Sequence, residues 1–277
     1  MAGAGRQDHE CSRRGDAQTR GPSDTEFLHG TWFGHPLHPA LIDIPLGAWS
    51  VTTFLDIYEL SSGDDSFARG ADAALRIGLV ASLGAAASGL NDWQYTNRPA
   101  RRIGVVHALL NIGAMVLFFT SWLQRKRGAR ASGIGTGILA WIVSMTAAYV
   151  GGYIVYDQRV GVDHAQRDGP EKWTPVMTKD DLVENTLHRV SADGVDILLV
   201  KKDGRIFAIG EKCAHLSGPL SEGKLEGNTV VCPWHGSQFS LADGNVINGP
   251  AVFRQPCFDA RVHDGKIEVC TRNALVS

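Results

Sequence analysis

Cys213-Ala214-His215-Leu216 and, beyond sixteen intervening residues from that first histidine, Cys232-Pro233-Trp234-His235-Gly236-Ser237-Gln238-Phe239 hold two short boxes, C-x-H and C-x-x-H. Each box offers one thiolate and one imidazole. That donor set suits a [2Fe–2S] cluster in which two thiolates hold one iron and two imidazoles hold the other. Imidazole is neutral where thiolate is charged, so such a cluster accepts an electron more readily than an all-cysteine one. One-electron transfer is the chemistry expected of Cys213, His215, Cys232 and His235. A Cys2His2 zinc site is the competing reading of the same residues.

Outward from the boxes the pattern is one of short strands and tight turns. Segments 195–201 and 205–209 flank Lys202-Asp203-Gly204, and 260–263 and 266–270 flank Asp264-Gly265. Both are hairpin signals. Segment 229–232 leads into the second box. This spacing predicts a β-sandwich or partly open barrel, with both boxes on loops held by a rigid sheet.

The boxes, together with Asp243-Gly244 and Gly249-Pro250-Ala251, resemble the Rieske ferredoxin domain over about residues 177–272. The resemblance implies that Cys213 and Cys232 bind the buried iron, and His215 and His235 the outer one. It makes Gly249-Pro250 the loop that covers the cluster and leaves the Ser237 hydroxyl for a hydrogen bond to cluster sulfur. High-potential relatives carry two further, disulfide-bridged cysteines. Those positions hold Gly218 and Trp234 here, and the family's tyrosine position holds Phe239. Fewer hydrogen bonds to sulfur imply a potential toward the ferredoxin-like end of the Rieske range.

The other half of the chain is apolar. Stretches 41–60, 71–90, 103–123 and 134–156 are long enough to span a bilayer as helices. The expected architecture is multi-domain. It has a tail lacking stable structure over 1–26, an all-α four-helix transmembrane domain over 27–160, a linker over 161–175 and the all-β iron–sulfur domain over 176–277. Asp56 and Glu59, closing the first span, are expected in solvent. The basic run 124–130 is expected against lipid headgroups.

His35-Pro36-Leu37-His38-Pro39 precedes the first span, whose helix is expected to begin near Leu41 after a rigid, proline-rich lead-in. His35 and His38 then stand at the membrane interface. His107 stands inside the third span, with Asn111 one turn on. This region, from about 34 to 162, resembles a bacterial family of uncharacterised four-helix membrane proteins sharing the His-Pro-x-His-Pro motif. The match includes Arg101-Arg102, His107, Asn111 and Gly151-Gly152-Tyr153. Three roles are open to His35, His38 and His107: axial ligands of a b-type haem, proton acceptors at a quinol site, or hydrogen-bonding residues that fix helix ends. His9, His29, His164, His188 and His263, in polar segments, are expected at the surface.

With four spans, both termini fall on one face of a multi-pass cell-membrane protein. Basic residues in the flanking loops number five on each face, so they do not choose a side. Cys11, Cys257 and Cys270 show no disulfide spacing, which tilts the iron–sulfur domain slightly toward the cytoplasm, while the dense basic run 124–130 tilts it the other way. A formal net charge of −2 gives no reason to expect nucleic acid. The expected partners are the lipid bilayer, a redox protein docking near His215 and His235, and a quinol. A redox sensor or the ferredoxin component of an oxygenase system are the alternative roles.

Overall fold

The protein is described here, from a computed structural model, over residues 24–271. The tail expected over 1–26 lies outside the described residues up to position 23, and positions 24–26 open the short helix α1 (Asp24–His29). The chain divides into two compact units. One is Pro36–Gly161; the other joins the residues before Pro36 to those from Val162 on.

The first unit is four helices: α2 (Leu37–Ser62), α3 (Ala68–Trp93), α4 (Arg98–Lys126) and α5 (Arg130–Tyr156). All four are long and apolar enough to cross a membrane. At 26 to 29 residues each exceeds the roughly 20 residues a bilayer core needs. Their surfaces are inside-out by soluble standards. Phe54, Val80, Leu83, Leu109 and Val116 point outward, while Gly78, Ser82, Ala85, Ala140, Ser144 and Ala147 lie inside. Small residues at helix contacts let backbones approach closely, which is how helices associate in lipid.

Two expectations are corrected in this unit. Helix α2 begins at Leu37, not near Leu41, so His38 and Pro39 lie in its first turn. The first amide groups of a helix have no intrahelical acceptor, so a proline there removes no bond. Asp56 is not solvated, and Glu59 is only partly so. Asp56 is fully buried and forms a two-pronged ion pair with Arg125, while Glu59 pairs with Arg130. Asp72 accepts from both arginines at 3.0 and 3.2 Å. Arg125 and Arg130 therefore turn inward from the basic run that was expected to face headgroups. A buried arginine is costly unless paired, and three carboxylates supply the pairing.

The second unit is built on two sheets. Strands β1 (Thr174–Thr178), β2 (Leu187–Ala192), β3 (Val195–Lys202), β4 (Arg205–Gly210), β5 (Lys224–Glu226), β6 (Thr229–Val231), β7 (Gln238–Ser240), β8 (Val246–Asn248), β9 (Cys257–His263) and β10 (Lys266–Thr271) follow in order. The large antiparallel sheet runs β1-β10-β9-β4-β3-β2, and the small one β5-β6-β7-β8. Both expected hairpins form, with Asp203-Gly204 and Asp264-Gly265 at positive φ. A third, at Asp193-Gly194, joins β2 to β3. Strand β3 shows how the core divides. Leu198 and Val200 face the small sheet and the boxes; Ile197 and Leu199 face Ala208, Phe258, Ile267 and Val269. Side chains alternate along a strand, so one strand serves two apolar layers.

Candidate metal centre

The two boxes sit on loops of like geometry. In the first, following β4, the Cys213 amide donates to the Gly218 carbonyl at 2.9 Å, and the Ser217 amide donates to the Cys213 carbonyl at 2.8 Å. In the second, following β6, the Cys232 amide donates to the Ser237 carbonyl at 2.8 Å, and the Gly236 amide to the Cys232 carbonyl at 3.1 Å. The residue four beyond each cysteine has positive φ, 61° at Ser217 and 75° at Gly236. Each loop thus curls back on its own cysteine and presents the box outward from a sheet.

The four side chains sort into two pairs. Cys213 and Cys232 are buried, at 1% and 3% exposure, within the core formed with Leu198, Ile209 and Phe239. His215 and His235 are half-buried, with ring centres 4.9 Å apart and planes at 88°. Among the described residues no three of His, Cys, Asp or Glu converge on one ion. Tetrahedral zinc needs four donors around a single point. A thiol pair inside and an imidazole pair outside match two irons with two protein ligands each.

Protonation follows the same division. A hydrogen bond from Cys213 pulls the Cys232 thiol down to about 6, helped by the backbone amides of Trp234 and His235. The Cys213 proton is held by that bond and by burial, against the amides of His215 and Leu216. Backbone amides aimed at both sulfurs are what thiolate ligands require. Burial, then the neighbouring His235, His29 and His164, push the His215 imidazole down to about 3, and burial lowers His235. Both imidazoles are neutral near pH 7 and offer lone pairs to a metal.

The remaining expected residues surround the pairs. The buried Ser237 Oγ accepts from the Ala251 amide at 3.2 Å, which leaves its proton free to donate. Gly249 has φ 96°, and a β-carbon there would stand 2.7 Å from Ser237 Cα. The Gly249-Pro250 segment therefore lies directly on the second loop. Gly218 is equally tight, because a β-carbon there would stand 2.8 Å from Cys232 Sγ. Phe239 is fully buried.

Two residues expected at the surface belong to these surroundings. His29 is buried, at 3% exposure, and near enough to act on His215. The His164 amide donates to the Ala214 carbonyl at 3.0 Å, and its ring lies 3.4 Å from Ser217 Oγ. No local pattern marks either residue. Of the membrane histidines, His38 and His107 come together with ring centres 6.5 Å apart. His35 is exposed, and its ring instead meets Phe33.

Residues 172–259 match the Rieske [2Fe-2S] domain, and residues 34–164 match a predicted membrane protein domain, DUF2231. Ferredoxin CarAc of Metapseudomonas resinovorans is 31% identical over 98 residues, 35% of this chain and 92% of that protein. Apoptosis-inducing factor 3 of Mus musculus is 32% identical over 89 residues, 32% of this chain but only 15% of that longer protein. Among solved structures, the ferredoxin of carbazole 1,9a-dioxygenase from Nocardioides aromaticivorans IC177 is 23% identical, with a TM-score of 0.35 over 36% of this chain and 99% of that one. The thiol and imidazole pairs, the strands that carry them, the two domain matches and the likeness to ferredoxin CarAc give one conclusion: the chain belongs to the Rieske [2Fe–2S] family, joined to a DUF2231 membrane domain.

Proposed function

We propose that this protein is a membrane-anchored one-electron carrier, in which the β unit exchanges electrons between the membrane side and a soluble partner docked over His215 and His235. The observation that carries this reading is the burial gradient across the site. The thiols lie in the core, the imidazoles lie half-buried outside them, and Trp234 beside His235 is 56% exposed. The bound cluster supplies a one-electron couple. The chain holds it by two thiolates, keeps both imidazoles neutral and presents them to the partner. The donor is a quinol or a haem. The tyrosine hydroxyl missing at Phe239 and the disulfide missing at Gly218 and Trp234 put the midpoint in the lower part of the roughly −150 to +300 mV Rieske range.

The test is turnover. In the purified full-length protein, a quinol analogue or a reductase should raise the reduced-cluster EPR signal, and an added acceptor should abolish it rapidly. A cluster that is reduced but never reoxidised by any acceptor favours a redox sensor instead. Service as an oxygenase ferredoxin is a narrower form of the same reading, and 39% identity over 75 residues to the 3-phenylpropionate/cinnamic acid dioxygenase ferredoxin subunit of Photorhabdus laumondii supports it. Sidedness also sharpens. Arg125 is buried against Asp56, Arg130 is held by Glu59 and Asp72, and Arg167 on the β-unit face is held by Asp163, so discounting paired arginines leaves four basic residues on the β-unit face and three on the other. The balance then favours a cytoplasmic β unit, which protease access in spheroplasts would check.

A further inference from the structure

The four helices carry an internal duplication. Three pairs of residues on α2 and α4 meet across the bundle: the His38 and His107 rings, the Trp49 and Phe118 rings stacked at 4.1 Å, and the Asp56–Arg125 ion pair. Members of each pair stand 69 positions apart. The buried Pro45 and Ala114, and Thr52 and Ser121, keep the same offset. Helices α3 and α5 repeat at another constant offset. Ser82 donates to the Leu79 carbonyl as Ser144 does to that of Trp141, and Thr52 reaches the Ala71 carbonyl as Ser121 reaches that of Gly133. The α2–α3 and α4–α5 hairpins are therefore two copies of one unit facing each other.

The duplication makes His38 and His107 equivalent, and their surroundings agree. His38 Nδ1 lies 2.8 Å from the Ala85 carbonyl, and His107 Nδ1 lies 2.9 Å from the Ala147 carbonyl. A carbonyl only accepts, so each Nδ1 carries a proton, and the lone pair of the neutral ring is then on Nε2. One turn on from each carbonyl is a glycine against which the imidazole lies. A β-carbon at Gly89 would stand 2.7 Å from His38 Cε1, and one at Gly151 would stand 2.9 Å from His107 Cε1. The glycines let each imidazole withdraw toward its own hairpin. A histidine whose second nitrogen donates to a backbone carbonyl is the usual arrangement of a metal ligand.

Size and ligand count choose the occupant. A hydroquinone bridging both rings would add its own width to two hydrogen bonds of about 2.8 Å, too much for ring centres 6.5 Å apart. A single metal atom stands only about 2 Å from each nitrogen. A bare ion needs three or four protein donors, and among the described residues no such group exists. A haem iron brings four nitrogens of its own and needs only two axial ligands. We propose that His38 and His107 are the two axial ligands of one b-type haem, its macrocycle lying in the seam between the two hairpins. This rests on the carrier reading and specifies its membrane-side redox group. Asn111 donates to this same His107 lone pair at 3.2 Å and to the His107 carbonyl at 2.9 Å, so its amide must swing aside when the iron binds.

The experiment is an optical spectrum with pyridine haemochrome analysis of the full-length protein, purified in detergent from haem-replete cells. One haem per chain is expected. The Soret band should be lost in His38→Ala and in His107→Ala, kept in His35→Ala, and kept with altered α-band position in His107→Met. Cluster EPR on the same samples reports folding and the carrier reading separately. A haem-free wild-type protein with an intact cluster signal overturns this proposal and leaves the carrier reading standing. Loss of haem in His35→Ala, or its retention in both alanine variants, also overturns it.

Discussion

Each half of this protein builds a histidine pair from two like elements, but the elements differ in kind. In the β unit they are loops. Each closes on its own cysteine through the same pair of backbone hydrogen bonds, and the imidazoles reach outward from the thiols. In the helical unit they are whole hairpins, and the imidazoles lie against glycines, each tied to a carbonyl of its neighbouring helix. A loop fixes its ligands by local backbone geometry, so its chemistry survives as a compact motif. A hairpin fixes them by interhelical fit, so its chemistry is spread along the chain. The comparison predicts abrupt failure when a loop ligand is changed. It predicts graded, compensable failure when an interhelical pair is changed.

The largest effect is expected at the loops. Cys213→Ser should abolish the Rieske EPR signal while leaving membrane insertion intact, and His235→Cys should do the same. Retention of the signal in Cys213→Ser would remove that residue from the ligand set. The helical counterpart is the buried pair. Asp56→Ala leaves the Arg125 guanidinium buried without its main partner, a loss of about 3–5 kcal/mol. Exchanging the two, Asp56→Arg with Arg125→Asp, restores the ion pair but sets the new carboxylate beside Asp72 and the new guanidinium beside Arg130, so it should recover only part of the thermal stability in detergent. A swapped protein no more stable than Asp56→Ala would show that the hairpins are not interchangeable at this layer.

This contrast also explains what the sequence disclosed. The boxes, the Asp203-Gly204 and Asp264-Gly265 hairpins and the four spans are local signals, and all appear in the structure. Asp193-Gly194 is an equally legible signal of the same kind. The ion pairs of Asp56 and Glu59 were not legible, because a carboxylate near a helix end reads as solvated until a distant arginine is seen to turn inward. Proline punctuation misplaced the start of α2, since a proline in a first turn removes no helical bond. His29 and His164 reach the cluster loops from segments with no pattern of their own.

A smaller effect is expected where the covering loop meets the second box. Gly249→Ala would combine a positive φ with a β-carbon at 2.7 Å from Ser237 Cα. The strain should cost about 1–3 kcal/mol. The expected readout is a faster loss of the cluster's visible absorbance under a chelator, with the EPR g-values little changed. A protein as chelator-resistant as the wild type would mean that this loop does not brace the site.

The finest test separates holding the cluster from tuning it. Ser237 Oγ accepts from the Ala251 amide, so its own proton is available to a cluster sulfur, while the positions at Gly218 and Phe239 offer none. A hydrogen bond to a charged acceptor is worth about 1.5–3 kcal/mol, or about 60–130 mV for one electron. The bond favours the more negative, reduced cluster. Ser237→Ala should therefore lower the midpoint by that amount without loss of EPR intensity, and Ser237→Thr, which keeps the hydroxyl, should restore most of it. An unchanged midpoint in Ser237→Ala would assign the hydroxyl to the Ala251 amide alone, as a fastener of the covering loop. The comparison between the two halves would then sharpen, because even the cluster's serine would act through backbone fit.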